Sequence, residues 1–223
     1  MILKMLRQVP FLKGLKREEI SHIFAIARER RCKAGETIFL KEAIGNNFFI
    51  VKSGRVKIFT SVGTEKKKTF AFLKKGEFFG EMSLLGGKVR SASAQAVEPT
   101  DLLVISRRNF KNLILKNPDF ALKLMHTLVK RLNNANRDIE SMLFHNILGR
   151  LAEAIIGLSK DKHSYPVKIA IDQNELAQYM GTTRVPVCRA INTLKRSKVI
   201  DYKRGQLIVL NAARLKSIAN IGL

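Results

Sequence analysis

Residues 173–192 read QNELAQYMGTTRVPVCRAIN, and their spacing meets the demands of a helix-turn-helix. A first helix turns Leu176 and the small Ala177 inward, and Gly181 supplies a left-handed backbone conformation that residues with a Cβ resist. Val187, Ile191 and Leu194 then form the inner face of a second helix, which crosses over Ala177 and needs that side chain small. Pro186 is tolerated early in the second helix, where amides have no intrahelical partner. The outward positions are Arg184, Val185, Cys188 and Arg189, with Thr183 at the start of the helix and Gln173 at the head of the first. Arginines placed there read guanine bidentately or clasp phosphate, whereas Val185 offers only an apolar contact to a thymine methyl. Any helical hairpin could show this pattern by chance. The segment that follows lowers that chance: Val199 to Tyr202, a Lys203-Arg204-Gly205 turn and Leu207 to Leu210 read as a β-hairpin with Lys203 and Arg204 at its tip, before a last helix around Ala212 to Ala219. That is the layout of a winged helix.

The bulk properties agree with a polyanionic partner. Lysine and arginine number 41 against 18 acidic residues, a net charge of +23. Such a balance favours nucleic acid or an anionic membrane surface. Hydrophobic residues make up 46% of the 223 positions, with Gly 14 and Pro 5, as in ordinary folded proteins, and the length suits two modest domains. The cysteines, Cys32 and Cys188, lie far apart without CxxC spacing, a reduced, cytoplasmic pattern. Met1 to Phe11 mixes Lys4 and Arg7 among its apolar residues, unlike a secretory signal, and no window approaches a membrane span, so no membrane partner is expected.

Working toward the N-terminus, Asn146 to Gly157 gives an amphipathic helix through Leu148, Leu151, Ala152, Ile155 and Ile156, and Asp161 to Pro166 reads as a loop. Before it, a glycine-free stretch from Pro118 to His145 predicts one helix of about 42 Å. Its stripe of Leu124, Leu128, Ala135, Ile139 and Met142, with Met125 and Leu132 beside it, is flanked by Lys130, Arg131, Asn133, Asn134, Arg137, Asp138 and Glu140. Such a narrow seam suits a two-helix contact between subunits, with a core helix of its own domain as the plainer reading. Between about Lys33 and Ile105 recurring glycines separate short segments, Thr37 to Leu40, Phe48 to Lys52, Arg55 to Thr60 and Thr69 to Leu73, which predict an antiparallel sandwich or barrel. Lys66, Lys67 and Lys68 are placed at a hairpin tip or edge, as a solvated turn in preference to a nucleic-acid contact, and Leu12 to Arg31 in a helix.

A second concentrated signal is GEFFGEMSLLGGKVRSASAQ, Gly76 to Gln95. Gly80-Glu81 and Arg90-Ser91 bracket a hydrophobic turn, Met82 to Leu85. Backbone amides, a guanidinium and a hydroxyl can surround a phosphate there, while a carboxylate accepts from a ribose hydroxyl. An internal Glu81 to Arg90 salt bridge under a turn is the other reading, and the residues alone leave both open.

The Gly80-Glu81 to Arg90-Ser91 cassette resembles that of cyclic-nucleotide-binding domains, and the chain as a whole, from about Val9 to its last helix, is similar to the Crp/Fnr family of bacterial transcription regulators. The resemblance implies an α+β fold: an effector-binding β-roll over 1–116, a dimerisation helix over 117–145 and a winged helix-turn-helix DNA-binding domain over 146–223. It implies a homodimer on a palindromic double-stranded operator, RNA polymerase as a further partner, and cyclic AMP or another cyclic nucleotide as effector. By position, Glu81 would meet the ribose 2′-hydroxyl, Arg90 and Ser91 the cyclic phosphate, and Ala135 and Asn136 the adenine, with Gly80 and Met82 as further ligand-binding positions. Ala135 departs from the hydroxyl residue used by members that take cyclic AMP, and Val185 replaces a common glutamate of the recognition helix.

Alternatives are a cyclic-nucleotide module acting on a protein partner, or a family member with another effector or none. An iron–sulfur branch would need about four cysteine ligands. His22, His126, His145 and His163 are unclustered, so no metal is expected. Without GxSxG, P-loop, HExxH or paired carboxylates, no catalytic residue is expected either.

Overall fold

The structure is a computed structural model that describes residues 17–62, 66–144, 146–159 and 166–220. Leu12, Leu15, Gly63, His145 and residues 160–165, and with them most of the expected Asp161 to Pro166 loop, lie outside these, as does the side chain of Met142. Contacts divide the chain into two compact units, one drawn from 1–60 and 70–132, the other from 61–69 and 133–223.

The first unit begins with α1 (Arg17–Ile26) and continues with β1 (Arg28–Cys32), β2 (Thr37–Phe39), β3 (Asn47–Ser53), β4 (Arg55–Val62), β5 (Lys66–Lys74), β6 (Phe78–Phe79), α2 (Met82–Leu85), β7 (Ser93–Ala96), β8 (Thr100–Ser106) and α3 (Arg107–Lys116), the parts of β4 and β5 within 61–69 being assigned to the second unit. The strands form two sheets, ordered β1-β8-β3-β6 and β2-β7-β4-β5. Strand β3 shows why. Its run Phe48, Phe49, Ile50, Val51 is buried on both faces, which a continuous apolar strand requires. Phe49 and Val51 meet Val56, Leu73, Ala94 and Ala96 of the other sheet, while Phe48 and Ile50 face α1, α3 and the start of the long helix. There Phe48 stacks on Phe110 at 4.7 Å, lies 5.4 Å from Phe78 and meets Phe120 edge-on at 6.4 Å.

The helix predicted to reach Arg31 stops at Ile26. Arg28–Cys32 is instead a strand, because Arg28 to Cys32 register antiparallel against Val104 to Thr100 at the edge of the sheet, where charged residues are well tolerated. The Lys66–Lys68 run likewise opens β5 and is not confined to a turn.

α4 (Pro118–Phe144) is a single helix of 27 residues opened by a proline. Its inner face is Phe120, Leu124 and Leu128, packed on the Phe48 cluster. The predicted seam is therefore corrected: Leu124 and Leu128 serve their own unit. Among the described residues Leu122, Met125, Val129, Leu132 and Ile139 are the exposed large apolar side chains of α4, each more than half accessible, and they recur at alternating three- and four-residue steps with Asn136 in the remaining slot.

The second unit contains α5 (Ile147–Ser159), β9 (Val167–Ala170), α6 (Gln173–Met180), α7 (Arg184–Arg196), β10 (Ile200–Lys203), β11 (Gln206–Val209) and α8 (Ala212–Asn220). Its core joins Leu151, Ile155, Leu176, Ala177, Val187, Ile191, Leu194, Val199, Leu207 and Leu215. The sequence reading omitted β9, which completes a three-stranded sheet ordered β10-β11-β9.

Phe48→Ala should destabilise the first unit by about 3 to 5 kcal/mol, since the rings of Phe78, Phe110 and Phe120 lose their common neighbour. Scanning calorimetry checks this, and a loss below about 1 kcal/mol would show that the ring cluster closes over the gap.

Candidate effector cassette and nucleic-acid interface

Gly80, Glu81, Met82, Arg90 and Ser91 come together around α2. Gly80 has φ of 82°, and a Cβ there would sit 2.7 Å from Arg90 Nη1, so glycine serves both the turn and the close approach. Glu81 is only 3% exposed. Its Oε1 accepts from Arg131 Nη1 of α4 at 3.0 Å, and Arg131 also donates to the Phe78 carbonyl and lies 4.5 Å over the Phe78 ring. Sequence reasoning placed Arg131 among the polar flank of the seam. The structure makes it the counter-charge of a buried carboxylate, and only the need for such a charge could have pointed to it.

Arg90 is 5% exposed. Its Nη1 donates to the Gly80 carbonyl and Ser83 Oγ, both at 2.8 Å, and its Nη2 to the Asn47 carbonyl at 2.8 Å. The guanidinium lies 4.2 Å over Phe39. The internal salt bridge considered for Glu81 thus forms with Arg131, and Arg90 turns to protein oxygens. Two buried polar atoms in this cassette have no partner, Glu81 Oε2 and Arg90 Nε. Met82 and Ser91 are exposed, with Ser91 Oγ 3.3 Å from Met82 Sδ. Ala135 and Asn136 are exposed on α4 and belong to the second unit. Among the described residues no group of three or more His, Cys, Asp or Glu could hold a metal.

In the second unit a capping box starts α6: Asp172 Oδ1 accepts from the amides of Asn174 and Glu175, and Glu175 Oε2 accepts from the Asp172 amide at 3.1 Å. Gly181 ends the helix at φ 67°, ψ 39°. After that turn Val187, Ile191 and Leu194 are buried, and Thr183, Arg184, Val185 and Arg189 are exposed on α7. Gln173 Oε1 accepts from Arg184 Nε at 3.2 Å and from the Cys188 thiol at 2.9 Å, so the two side chains share one anchor. Strands β10 and β11 are joined by Arg204 and Gly205, both at positive φ, as a tight right-twisted hairpin demands. Lys203 and Arg204 are exposed there, and Lys203 Nζ lies 3.3 Å from Asp201 Oδ2.

Residues 29–117 match the cyclic nucleotide-binding domain family, and residues 149–218 the Crp-like helix-turn-helix domain family. The Cyclic AMP receptor protein of Thermus thermophilus is 34% identical over 210 residues, 94% of this chain and 96% of that protein. The cAMP-activated global transcriptional regulator CRP of Pasteurella multocida is 30% identical over 172 residues, 75% of this chain and 81% of its own. Among solved structures, the Thermus thermophilus catabolite activator protein aligns with a TM-score of 0.56 at 34% identity, covering 95% of this chain and 98% of that one. The c-di-GMP responsive global regulator CLP of Xanthomonas campestris gives 0.79 at 20% identity, covering 87% and 99%, a likeness of fold alone. No helix among the described residues is long and apolar enough to cross a membrane.

Burial lifts the Glu81 carboxyl above its ordinary value of 4.5, against the pull of Arg131. A carboxyl raised in the folded state contributes stability that is complete below the ordinary value and lost as pH rises through the folded one. Glu36, lowered by the Lys33 amide, and Asp101, lowered by Arg31, act in the opposite sense and cancel between variants. Urea unfolding from about pH 4 upward should therefore show wild type losing stability relative to Glu81→Gln as pH rises. A constant difference across that range would show that Glu81 ionises as an ordinary glutamate.

Proposed function

The chain belongs to the Crp/Fnr family of transcriptional regulators, with a cyclic nucleotide-binding domain and a helix-turn-helix DNA-binding domain, and from that premise we propose how its own residues divide the work. The effector is a cyclic nucleotide held in the Gly80 to Ser91 cassette. The observation that carries this is the pair of unpartnered buried atoms, Glu81 Oε2 and Arg90 Nε. One accepts a hydrogen bond and the other donates to an anion, the complement of a ribose hydroxyl beside a cyclic phosphate. Met82 and Ser91, both exposed and with their side chains 3.3 Å apart, complete the rim. Cyclic AMP is the first candidate, because the Thermus thermophilus relative is named for it. Ala135 brings no hydroxyl to adenine, so Asn136 is the residue left to hydrogen-bond a base edge.

The DNA half rests on α7. Arg184, Val185 and Arg189 face outward from a helix whose other side is buried, Thr183 and Cys188 flank them, and Gln173 steadies Arg184 and Cys188. Lys203 and Arg204 reach phosphate from the wing. The chain acts as a homodimer in the cytoplasm, with 1–116 as effector domain, 117–145 as dimerisation helix and 146–223 as DNA-binding domain, and RNA polymerase as the further partner of a bound regulator. The exposed row on α4 supports this, since three- and four-residue steps of apolar side chains are the seam of a two-stranded coiled coil.

Leu132→Asp should leave a folded monomer in sedimentation at micromolar concentration where the wild type is a dimer, whereas Leu124→Asp should unfold the first unit. A monomeric wild type would remove the dimer. Selection from a random duplex library should enrich a two-fold symmetric site with half-sites about one helical turn apart. Arg189→Ala should cost about 1 to 3 kcal/mol and relax one symmetric pair of positions, while Lys203→Ala weakens all sequences alike. Enriched duplexes without symmetry, or an unchanged motif with Arg189→Ala, would overturn the assignment.

A further inference from the structure

The hydrogen bonds of the Arg107 guanidinium go to Asn46, Gly45 and Ser83 and not to the cassette residues assigned above to the effector, though its charge is felt by Arg90, and they fasten the two segments that enclose Arg90. Arg107 opens α3, and its Nη2 donates to the Gly45 carbonyl at 2.7 Å and to the Ser83 carbonyl at 2.9 Å. Its own amide donates to the Asn46 carbonyl at 2.8 Å. Gly45 belongs to the 41–46 loop and Ser83 to α2, so one nitrogen bridges loop and cassette helix.

Arg90 passes between those two segments. Its backbone is zipped to the loop, with the Glu42 amide donating to the Arg90 carbonyl and the Arg90 amide to the Ala43 carbonyl, both at 2.9 Å. The Gly45 amide donates to the Lys88 carbonyl at 2.8 Å, and Ile44 bridges Val89. The side chain then runs beneath Gly45. A Cβ at Gly45 would stand 2.8 Å from Arg90 Nε and 2.2 Å from Ser83 Oγ, closer than real atoms approach. The loop therefore lies directly against the guanidinium and the hydroxyl that holds it. Ser83 is 2% exposed, and its Oγ accepts from Arg90 Nη1 while donating to the Gly80 carbonyl at 3.2 Å. The spacing between Gly45 and Ser83 thus fixes where Arg90 points, and Arg107 sets that spacing.

Resting on the effector reading, we infer that Arg107 is a positioning residue for the effector phosphate: it clamps the 41–46 loop onto α2 and so fixes the Arg90 side chain within the cassette. The guanidinium of Arg107 makes no contact with the ligand. Its loss lets the loop separate from α2, and Arg90 then samples other rotamers.

The test uses the full chain labelled with 15N-arginine, the Arg90 Nε–H signal being identified by its loss in Arg90→Lys. Wild type should give one slowly exchanging Arg90 Nε–H resonance. In Arg107→Ala, with circular dichroism unchanged, that resonance should broaden or exchange at least about tenfold faster, and calorimetry should show cyclic AMP affinity reduced about tenfold or more. Arg107→Lys, whose ammonium also donates in several directions, should recover part of both effects. Should Arg107→Ala fail to fold, Arg107→Met keeps the aliphatic stem and carries the same comparison. An Arg90 Nε–H that exchanges as in wild type overturns the inference, as does full cyclic AMP affinity in the variant. Failure of wild type to bind any cyclic nucleotide defeats the effector reading instead, while the Nε–H comparison still decides whether Arg107 positions Arg90.

Discussion

A carboxylate taken out of water must be neutralised, and the Glu81–Arg131 pair is the point at which that requirement shapes this molecule. Glu81 is carried by a four-residue helix too short to organise itself, and Arg131 by a helix of 27 residues anchored through Phe120 and Leu124. The pair therefore registers the small element on the large one. Removing one partner of a buried pair leaves an uncompensated charge, which costs more than the intact pair contributes. Phe78 reinforces the register, since its carbonyl and ring both face the Arg131 guanidinium, and it belongs to the same aromatic cluster as Phe48. Any ligand group that reaches Glu81 Oε2 therefore meets a carboxyl whose other oxygen is already held by α4.

The legibility of the sequence follows the range of the forces involved. In the helix-turn-helix the deciding interactions are local: Asp172 with Glu175, Gly181 in its left-handed conformation, and Ala177 against the crossing helix all lie within a few residues of one another. Positions could be read off by offset. The cassette was legible as residue types but not as pairings, because Glu81 and Arg131 are 50 positions apart and nothing in the spacing joins them. On α4 periodicity showed apolar stripes without showing which of them met the protein's own core. Leu124 and Leu128 went inward, and the row through Leu122, Met125, Val129 and Leu132 stayed out. Arg28–Cys32 failed for a third reason. Its charged composition lacks strand propensity, and only pairing with β8 makes it a strand.

Charge is deployed differently in the two units. In the cassette, the buried Arg90 and the half-buried Arg131 are held by several acceptors each, so their positions are set before any ligand arrives. On α7, Arg184 and Arg189 stand in solvent, and only Arg184 is steadied, by Gln173. The first arrangement favours recognition of one compact shape, and the second tolerates the varied edges of a duplex while letting contacts adjust.

If the exposed row on α4 is the seam of the proposed homodimer, it ties the fate of the polypeptide to its abundance. A newly made chain carries Leu122, Met125, Val129, Leu132 and Ile139 in water until a second chain arrives, and such surface invites proteases and chaperones in the interval. Meeting a partner is second order in concentration, so the surviving pool rises more steeply than synthesis does. A modest change in transcription of this gene would then be amplified in the amount of competent protein, making copy number a signal in its own right, separate from any effector.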